Sequence, residues 1–429
     1  MTATTTRMRI SDLIEEVLPE GIPFRFTAYD GSGVGPEDAQ VRLHLANERG
    51  LSYLLTAPGD LGLARAYISG DLELQGVPPG DPYDAMTGVM DKLRPKMPAP
   101  AEAFRLLRGL GLSHLKPPPP PPQEHLPRWR RTLEGLRHSK HRDATAIHHH
   151  YDVSNEFYEY VLGPSMTYTC SVFPREDATL EEAQEYKYDL IARKLALRPG
   201  MTLLDVGCGW GGMVRHAARK YGVKAIGVTL SEQQAAWGQR AVEREGLADL
   251  AEVRYGDYRD VAERDFDAIS SIGLTEHIGV RNYPSYFRFL LDRLRTGGRL
   301  LNHCITRPDN RAQASAGAFI DRYVFPDGEL TGAGKIISVM QDTGFEVRHE
   351  ENFREHYART LAGWNRNLQA NWDECVKEVG EGTARVWGLY MAGSRLAFER
   401  NEIQLHHALG VKPDANGNAS FPLRPDWEN

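Results

Sequence analysis

The chain predicts an α/β fold: a doubly wound, Rossmann-like and mainly parallel sheet, preceded by a smaller N-terminal accessory domain. Three observations predict it. From about residue 186, helical patterns alternate with short apolar runs, the rhythm of strands joined by crossover helices. One of those runs ends in a glycine-rich turn. A run of six prolines, Pro117 to Pro122, separates this region from what precedes it.

The bulk numbers allow such a fold and exclude some partners. With 429 residues, 41% hydrophobic and 25% charged, the chain has enough for two domains and an ordinary core. A formal net charge of -7 argues against nucleic acid as the main partner, although a local basic face would still suit anionic lipid. Cys170, Cys208, Cys304 and Cys375 are scattered without CxxC spacing, so neither a disulfide framework nor a zinc ribbon is expected. The N-terminal sequence has no signal-peptide core, and no apolar run approaches the roughly 20 residues that span a bilayer. The expectation is a cytoplasmic protein.

The elements follow in order. Residues 1–112 are expected to form the accessory domain: VRLHL (41–45) alternates like a strand, and LGLARAYISGDLELQG (61–76) reads as helix, glycine turn and strand. Residues 113–127 are expected to be a proline-rich linker acting as a semi-rigid spacer. Residues 128–429 are expected to form the catalytic domain. Its first stretch, RWRRTLEGLRHSKHR (128–142), spaces Trp129, Leu133 and Leu136 helically among arginines. Such a stretch either lies on an anionic membrane or packs as a solvated helix. The three consecutive histidines His148 to His150 do not share a helix face, so no metal site is expected there. MTLLDVG (201–207), KAIGVTL (224–230), AEVRYGD (251–257), FDAISSIG (266–273) and GRLLNHCI (298–305) then read as strands. There are no internal repeats.

The strongest local signal is LLDVGCGWGG (203–212). Gly207 and Gly209 permit positive φ and close approach of a ligand to the backbone. Asp205, at the carboxyl end of the strand, is placed to hold an amine or hydroxyl in the switch-point crevice. The loop satisfies GxGxxG only through Gly212, and the next strand ends in Val228-Thr229-Leu230-Ser231 without an acidic residue for a ribose. Asp257 and Tyr258 suit adenine by hydrogen bond and stacking. These features favour a methyl-donor nucleoside over NAD.

HHHYDVSNEFYEYVLGPSMTYTCSVF (148–173), LLDVGCGWGG, GVTLSEQQ (227–234), GDYRD (256–260), SIGLTEHIG (271–279), NYPSYF (282–287), YVFPDGEL (323–330) and NFREHYARTLAGW (352–364) occur in order. Together they resemble the cyclopropane-fatty-acyl-phospholipid synthase family of S-adenosylmethionine-dependent fatty-acid and mycolic-acid methyltransferases. The resemblance covers roughly residues 145–410 and implies a class I methyltransferase sheet. It places S-adenosylmethionine across Tyr168, Thr169, Gly207, Gly209, Thr229, Gln234 and Tyr258. It also implies a bicarbonate ion held by Cys170, Glu276, His303, the backbone of Ile305, and Tyr357. The block APGDLGLARAYISGDLELQG looks like the accessory domain of phospholipid-acting members.

The chemistry explains why such residues are needed. An alkene is a weak nucleophile, so the methyl must be presented in line, and positioning supplies up to about 7–11 kcal/mol. The resulting carbocation suits an aromatic-lined dry pocket, at roughly 0.5–2 kcal/mol per contact; Tyr283, Tyr286, Phe287, Tyr323 and Trp364 are candidates. Deprotonation then needs a base, with Glu276 and His303 orienting the bicarbonate. Leu274-Thr275 precedes Glu276 and Asn302 precedes His303, where many cyclopropane synthases carry apolar or aromatic residues. These departures and the N-terminal block look like the actinobacterial branch that makes 10-methylene acyl chains, with a cyclopropane ring as the alternative product. The expected substrate is a phospholipid with an unsaturated acyl chain, met by peripheral contact with the anionic inner face of the plasma membrane. The accessory domain and proline run are candidate homodimer elements. A small polar methyl acceptor and a non-enzymatic membrane scaffold are the competing readings; neither explains the five-residue ion constellation.

Overall fold

The computed structural model describes residues 8–90, 92, 96, 99–125, 154–311, 317–325 and 328–427. The basic stretch 128–142 and the segment His148–Asp152 lie outside the described residues. The chain divides into two compact units: residues 1–125, 317–324 and 368–396 form one, and residues 126–316, 325–367 and 397–429 the other.

The first unit carries a four-stranded sheet, order β2-β1-β3-β4, from β1 (Arg25–Ala28), β2 (Gly33–Val34), β3 (Arg42–Leu45) and β4 (Leu72–Gln75). Its helices include α1 (Ile10–Val17), α2 (Glu48–Thr56), α3 (Asp60–Ile68), α4 (Tyr83–Met90) and α5 (Pro100–Leu110). Phe24, Phe26, Leu45, Leu51, Tyr53 and Ala66 fill its core. The strand at 41–45 and the helix–turn–strand at 61–76 fall where their periodicity places them.

The boundary at residue 112 does not hold. The proline run is packed into this unit: Tyr53 Oη donates to the Pro119 carbonyl at 2.6 Å. Just beyond it, the buried Glu124 carboxylate accepts from Arg65 Nε at 2.6 Å and pairs with Arg322, while Tyr323 Oη donates to it at 3.1 Å. Residues remote in sequence therefore complete this unit, because a buried carboxylate requires charged partners wherever the chain can supply them.

The second unit is built on a seven-stranded sheet, order β10-β11-β9-β8-β5-β6-β7. The strands are β5 (Thr202–Val206), β6 (Lys224–Thr229), β7 (Ala251–Tyr255), β8 (Phe266–Ile272), β9 (Leu294–Thr306), β10 (Glu346–Asn352) and β11 (Gln404–Val411). From β7 through β9 all pairings are parallel; β11 runs antiparallel to both β9 and β10.

Around the sheet lie α6 (Asn155–Leu162), α7 (Leu180–Lys194), α8 (Gly212–Tyr221), α9 (Glu232–Arg244), α10 (Thr275–Ile278) and α11 (Tyr283–Arg293). After α12 (Ala318–Tyr323), part of the first unit, come α13 (Ala333–Thr343) and α14 (Arg354–Ala370), while α15 (Trp372–Val379) and most of α16 (Glu381–Glu399) again belong to the first unit. Helix α7 starts at a capping box, in which Thr179 and Glu182 satisfy each other's backbone N–H groups.

Alternate strand residues feed the two faces of the sheet. Leu203, Ala268, Leu301 and Leu409 pack with α7, α8 and α9. Leu204, Ile269, Leu300 and Ala408 pack with α11 and α13. The chain winds from β5 outward through β6 to β7, then returns to β8 on the other side of β5. That reversal opens a crevice at the carboxyl ends of β5 and β8, the place where sheets of this kind bind ligands.

Candidate active site

The glycine-rich turn after β5 sits at that crevice. Gly207 and Cys208 donate their N–H groups to the Val228 carbonyl at 2.9 and 3.0 Å, which ties the turn to β6. Gly207, Gly209 and Gly211 have φ of 74°, 55° and 75°, the left-handed region that favours glycine. The turn is tight on one side and open on the other. A Cβ on Gly211 would lie 2.7 Å from Val253 Cγ2, whereas a Cβ on Gly209 would meet nothing within 4 Å. Backbone that faces open space at the end of a central strand can accept a nucleoside ligand at close approach, so these residues fit S-adenosylmethionine.

Beneath the turn, Asp205 is buried and accepts from Ser270 Oγ at 2.6 Å. Burial pushes its carboxyl up to about 7, with the Ser270 hydroxyl and Lys187 pulling the other way. Lys187, which sequence reasoning gave no role, is fully buried in α7. Its Nζ donates to Thr169 Oγ1 at 2.9 Å and lies 3.8 Å from the Tyr188 ring centroid. Burial pulls it down to about 7, against the fields of Cys170 and Asp205. A lysine in an apolar helix row reads as a surface residue, so no sequence signal marked it.

Thr229 and Gln234 meet where β6 passes into α9: Thr229 Oγ1 donates to Gln234 Oε1 at 2.9 Å. Asp257 accepts from Arg259 Nε at 2.7 Å, so one side of the carboxylate expected to grip adenine is already held. Tyr258 packs edge-on against Tyr286 and Phe289, with centroids 5.3 and 5.4 Å apart.

The second half of the site gathers residues from distant segments. Glu276, in the single turn of α10, accepts from the Ile305 N–H at 2.6 Å through Oε1. Its Oε2 is buried without a partner among the described residues. Burial pushes the Glu276 carboxyl up to about 7, against the stabilising Ile305 amide. The backbone donor of Ile305 is thus engaged by Glu276. His303, two residues earlier on β9, shares a 2.8 Å hydrogen bond between its Nδ1 and His407 Nε2, and its Nε2 is buried without a partner among the described residues. Burial holds His303 well below the usual histidine range, so the ring is neutral.

Cys170 Sγ donates to Ser171 O at 3.2 Å and approaches Phe353 O at 3.9 Å. Burial raises its thiol far out of the thiolate range, which removes it as a nucleophile. Tyr357 N–H donates to that same Phe353 carbonyl at 3.1 Å, and the Phe353 ring packs 4.4 Å from His407. Cys170, Tyr357, His407 and His303 are therefore one neighbourhood.

An aromatic chain joins the two halves. Centroid separations run Trp210–Tyr158 4.7 Å, Tyr158–Tyr168 5.8 Å, Tyr168–Trp364 5.4 Å and Trp364–Tyr357 6.1 Å. Of the five aromatic candidates for a cation-stabilising pocket, Trp364 belongs to this chain. Tyr283, Tyr286 and Phe287 instead pack in the core between α11 and the sheet, and Tyr323 belongs to the first unit.

Thr275 and Asn302 also sit differently from the expectation that they flank the base. Asn302 lies on the α11 face of β9, opposite His303. Thr275 Oγ1 donates to Asn302 Oδ1 at 2.6 Å, and Asn302 Nδ2 donates to Cys304 Sγ at 3.2 Å. The pair is buried and satisfies itself, tying α10 to β9.

Residues 138–408 match the family model described as mycolic acid cyclopropane synthetase. A protein named as a probable fatty acid methyltransferase, from Mycobacterium tuberculosis, is 62% identical over 99% of this chain and 100% of its own. Another of that description, from Pseudomonas putida, is 40% identical over 94% of this chain and 95% of its own. The solved structure of the mycolic acid cyclopropane synthase CmaA1, in complex with S-adenosylhomocysteine and CTAB, superposes with a TM-score of 0.59. It shares 33% identity and covers 62% of this chain and 97% of its own. The chain belongs to the mycolic acid cyclopropane synthetase family and is an S-adenosylmethionine-dependent methyltransferase of the cyclopropane-synthase type.

Proposed function

We propose that the enzyme methylates the double bond of an unsaturated, oleoyl-type acyl chain on a membrane phospholipid and releases a 10-methylene acyl chain. The family acts on lipids with S-adenosylmethionine. The observation that carries the reading is the pair of buried polar atoms without partners among the described residues, Glu276 Oε2 and His303 Nε2, in a site whose other half is the glycine turn.

Bound S-adenosylmethionine supplies an electrophilic methyl group. Gly207, Gly209, Thr229 and Gln234 would hold the nucleoside end, with Tyr168 and Thr169 contributing to the same site. Trp364, Tyr168 and Tyr357 exclude water and present ring faces to positive charge on the acyl chain, worth roughly 0.5–2 kcal/mol per contact. Glu276, His303 and Tyr357, with Cys170 beside them, would hold bicarbonate, which supplies the base. His303 is neutral and Glu276 titrates near 7, so both can share protons with such an anion without a fixed charge in the apolar site.

The methylene product rests on the Thr275–Asn302 tie, which fixes the short helix bearing Glu276 to the strand bearing His303 and so sets the base against the reacting carbons. A ring product is the second reading, favoured by relatives such as the cyclopropane mycolic acid synthase 2 of Mycobacterium leprae, 36% identical over 58% of this chain. Peripheral docking on an anionic membrane rests on the arginine-rich 128–142 sequence. Expression in a host supplied with oleate and labelled methionine, followed by lipid NMR, separates the products. Exocyclic vinylidene protons support the methylene reading; high-field cyclopropane protons assign the ring.

A further inference from the structure

A line of polar side chains runs from the edge of the second unit to the outer nitrogen of His303. Glu351, on β10, accepts from Lys194 Nζ at 2.5 Å. Lys194 Nζ lies 3.2 Å from His407 Nδ1, and His407 Nε2 lies 2.8 Å from His303 Nδ1. The Lys194 side chain is 0% exposed and that of Glu351 is 41% exposed, so the line leads from water into the interior.

Donor and acceptor chemistry gives the line a direction. A carboxylate only accepts, an ammonium only donates, and a neutral imidazole does one of each. Lys194 therefore donates to both Glu351 and His407 Nδ1. His407 carries its proton on Nε2 and donates to His303 Nδ1. His303 is left with its proton on Nε2, the atom that has no partner among the described residues.

We propose that Lys194 and His407 are positioning residues that fix His303 as the Nε2–H tautomer, so that it donates a hydrogen bond to the anion serving as base. This rests on reading Glu276 and His303 as the base site. The electrostatics agree: burial, with Lys194 nearby, keeps both imidazoles neutral. Against its own partial burial, Glu351 is pulled down to about 2 by His349 and Lys194, which keeps it an anion. Burial pulls Lys194 downward, and the Glu351 carboxylate opposes that pull. Lys187, His349 and Glu350 are the other titratable groups facing the line.

The test combines histidine 15N NMR of the full chain with steady-state kinetics on unsaturated lipid vesicles. In the wild type, His303 and His407 should both show the Nε2–H pattern, assigned by its loss in H303N and H407Q. K194M should mix the tautomers and lower kcat roughly 10–100-fold, the usual loss for a partner that orients a site histidine, with KM for lipid unchanged. H407Q should retain most activity, because its amide oxygen accepts from Lys194 and its NH2 donates to His303; H407L should not. Should K194M fail to fold, the contrast between H407Q and H407L decides the matter.

An Nδ1–H proton on wild-type His303, or equal impairment of H407Q and H407L, would overturn the line. An Nε2–H pattern together with full activity in E276Q would overturn the base-site reading instead, and with it the purpose assigned to the line.

Discussion

The cofactor end and the base end of this site are built by opposite means. At the cofactor end, one loop of consecutive residues carries the design in its backbone, with left-handed glycines at 207, 209 and 211 on the end of β5. At the base end, side chains from positions 170, 194, 276, 303, 351 and 407 are held by hydrogen bonds between elements far apart in the chain. The difference teaches where each half is vulnerable. The first depends on the shape of a turn, the second on the protonation and partnering of buried groups.

The largest effect should come from the base end. Glu276→Gln keeps the size of the side chain but removes its titration, and turnover should fall by about 10²–10⁴-fold. Cofactor affinity measured by calorimetry should stay within about twofold, since the Gln amide oxygen can still accept from Ile305 and the glycine turn is untouched. Equal loss of binding and turnover would mean that the two halves are not separable.

Gly209→Ala attacks the other half. Its Cβ meets nothing within 4 Å among the described residues, so a bound ligand is what it would crowd. Cofactor affinity should drop roughly ten- to a hundredfold, the 1–3 kcal/mol typical of overpacking. Folding should lose about 1–2 kcal/mol from the positive φ. Wild-type cofactor affinity would move the nucleoside away from Gly209.

Thr275→Val probes a third kind of element, the self-satisfied pair on the far face of β9. It strands Asn302 Oδ1, and chemical denaturation should show a loss of about 1–3 kcal/mol. Adding Asn302→Leu should recover part of that loss and shift the ratio of methylene to ring. Strictly additive losses and an unchanged product ratio would leave the pair without influence on the base.

The smallest effect is a pH dependence of cofactor binding. Asp205 and Lys187 both titrate near 7. As pH rises from about 6 to 8, Asp205 gains negative charge and Lys187 loses positive charge, so both changes favour the sulfonium cation. S-adenosylmethionine should therefore bind severalfold more tightly at the higher pH, and S-adenosylhomocysteine, whose sulfur is neutral, should not. Asp205→Asn should reduce the difference to the part that Lys187 contributes.

The same contrast explains what the sequence made legible. The parallel strands and the glycine turn are local patterns of apolar runs and turn residues, and each fell within a few residues of its expected place. The antiparallel pair β10 and β11 did not. EVRHEEN (346–352) is mostly charged, and QLHHALGV (404–411) interrupts its apolar rhythm with two histidines. His407 was missed for that reason. Lys194 and Glu351 were missed because only the folded sheet brings them beside it. Glu276, His303, Cys170 and Tyr357 emerged through the resemblance, since nothing in their separate surroundings marks them. The first unit escaped a linear boundary because Glu124 finds its partner Arg322 almost two hundred positions away.

The most direct test of the central assignment uses purified protein, methyl-labelled S-adenosylmethionine and phospholipid vesicles that differ only in acyl unsaturation. The account predicts label in the acyl chain of dioleoyl lipid, a gain of one CH2 per modified chain by mass spectrometry, and none in the saturated counterpart. Label in a head group, or equal labelling of saturated and unsaturated lipid, would contradict it.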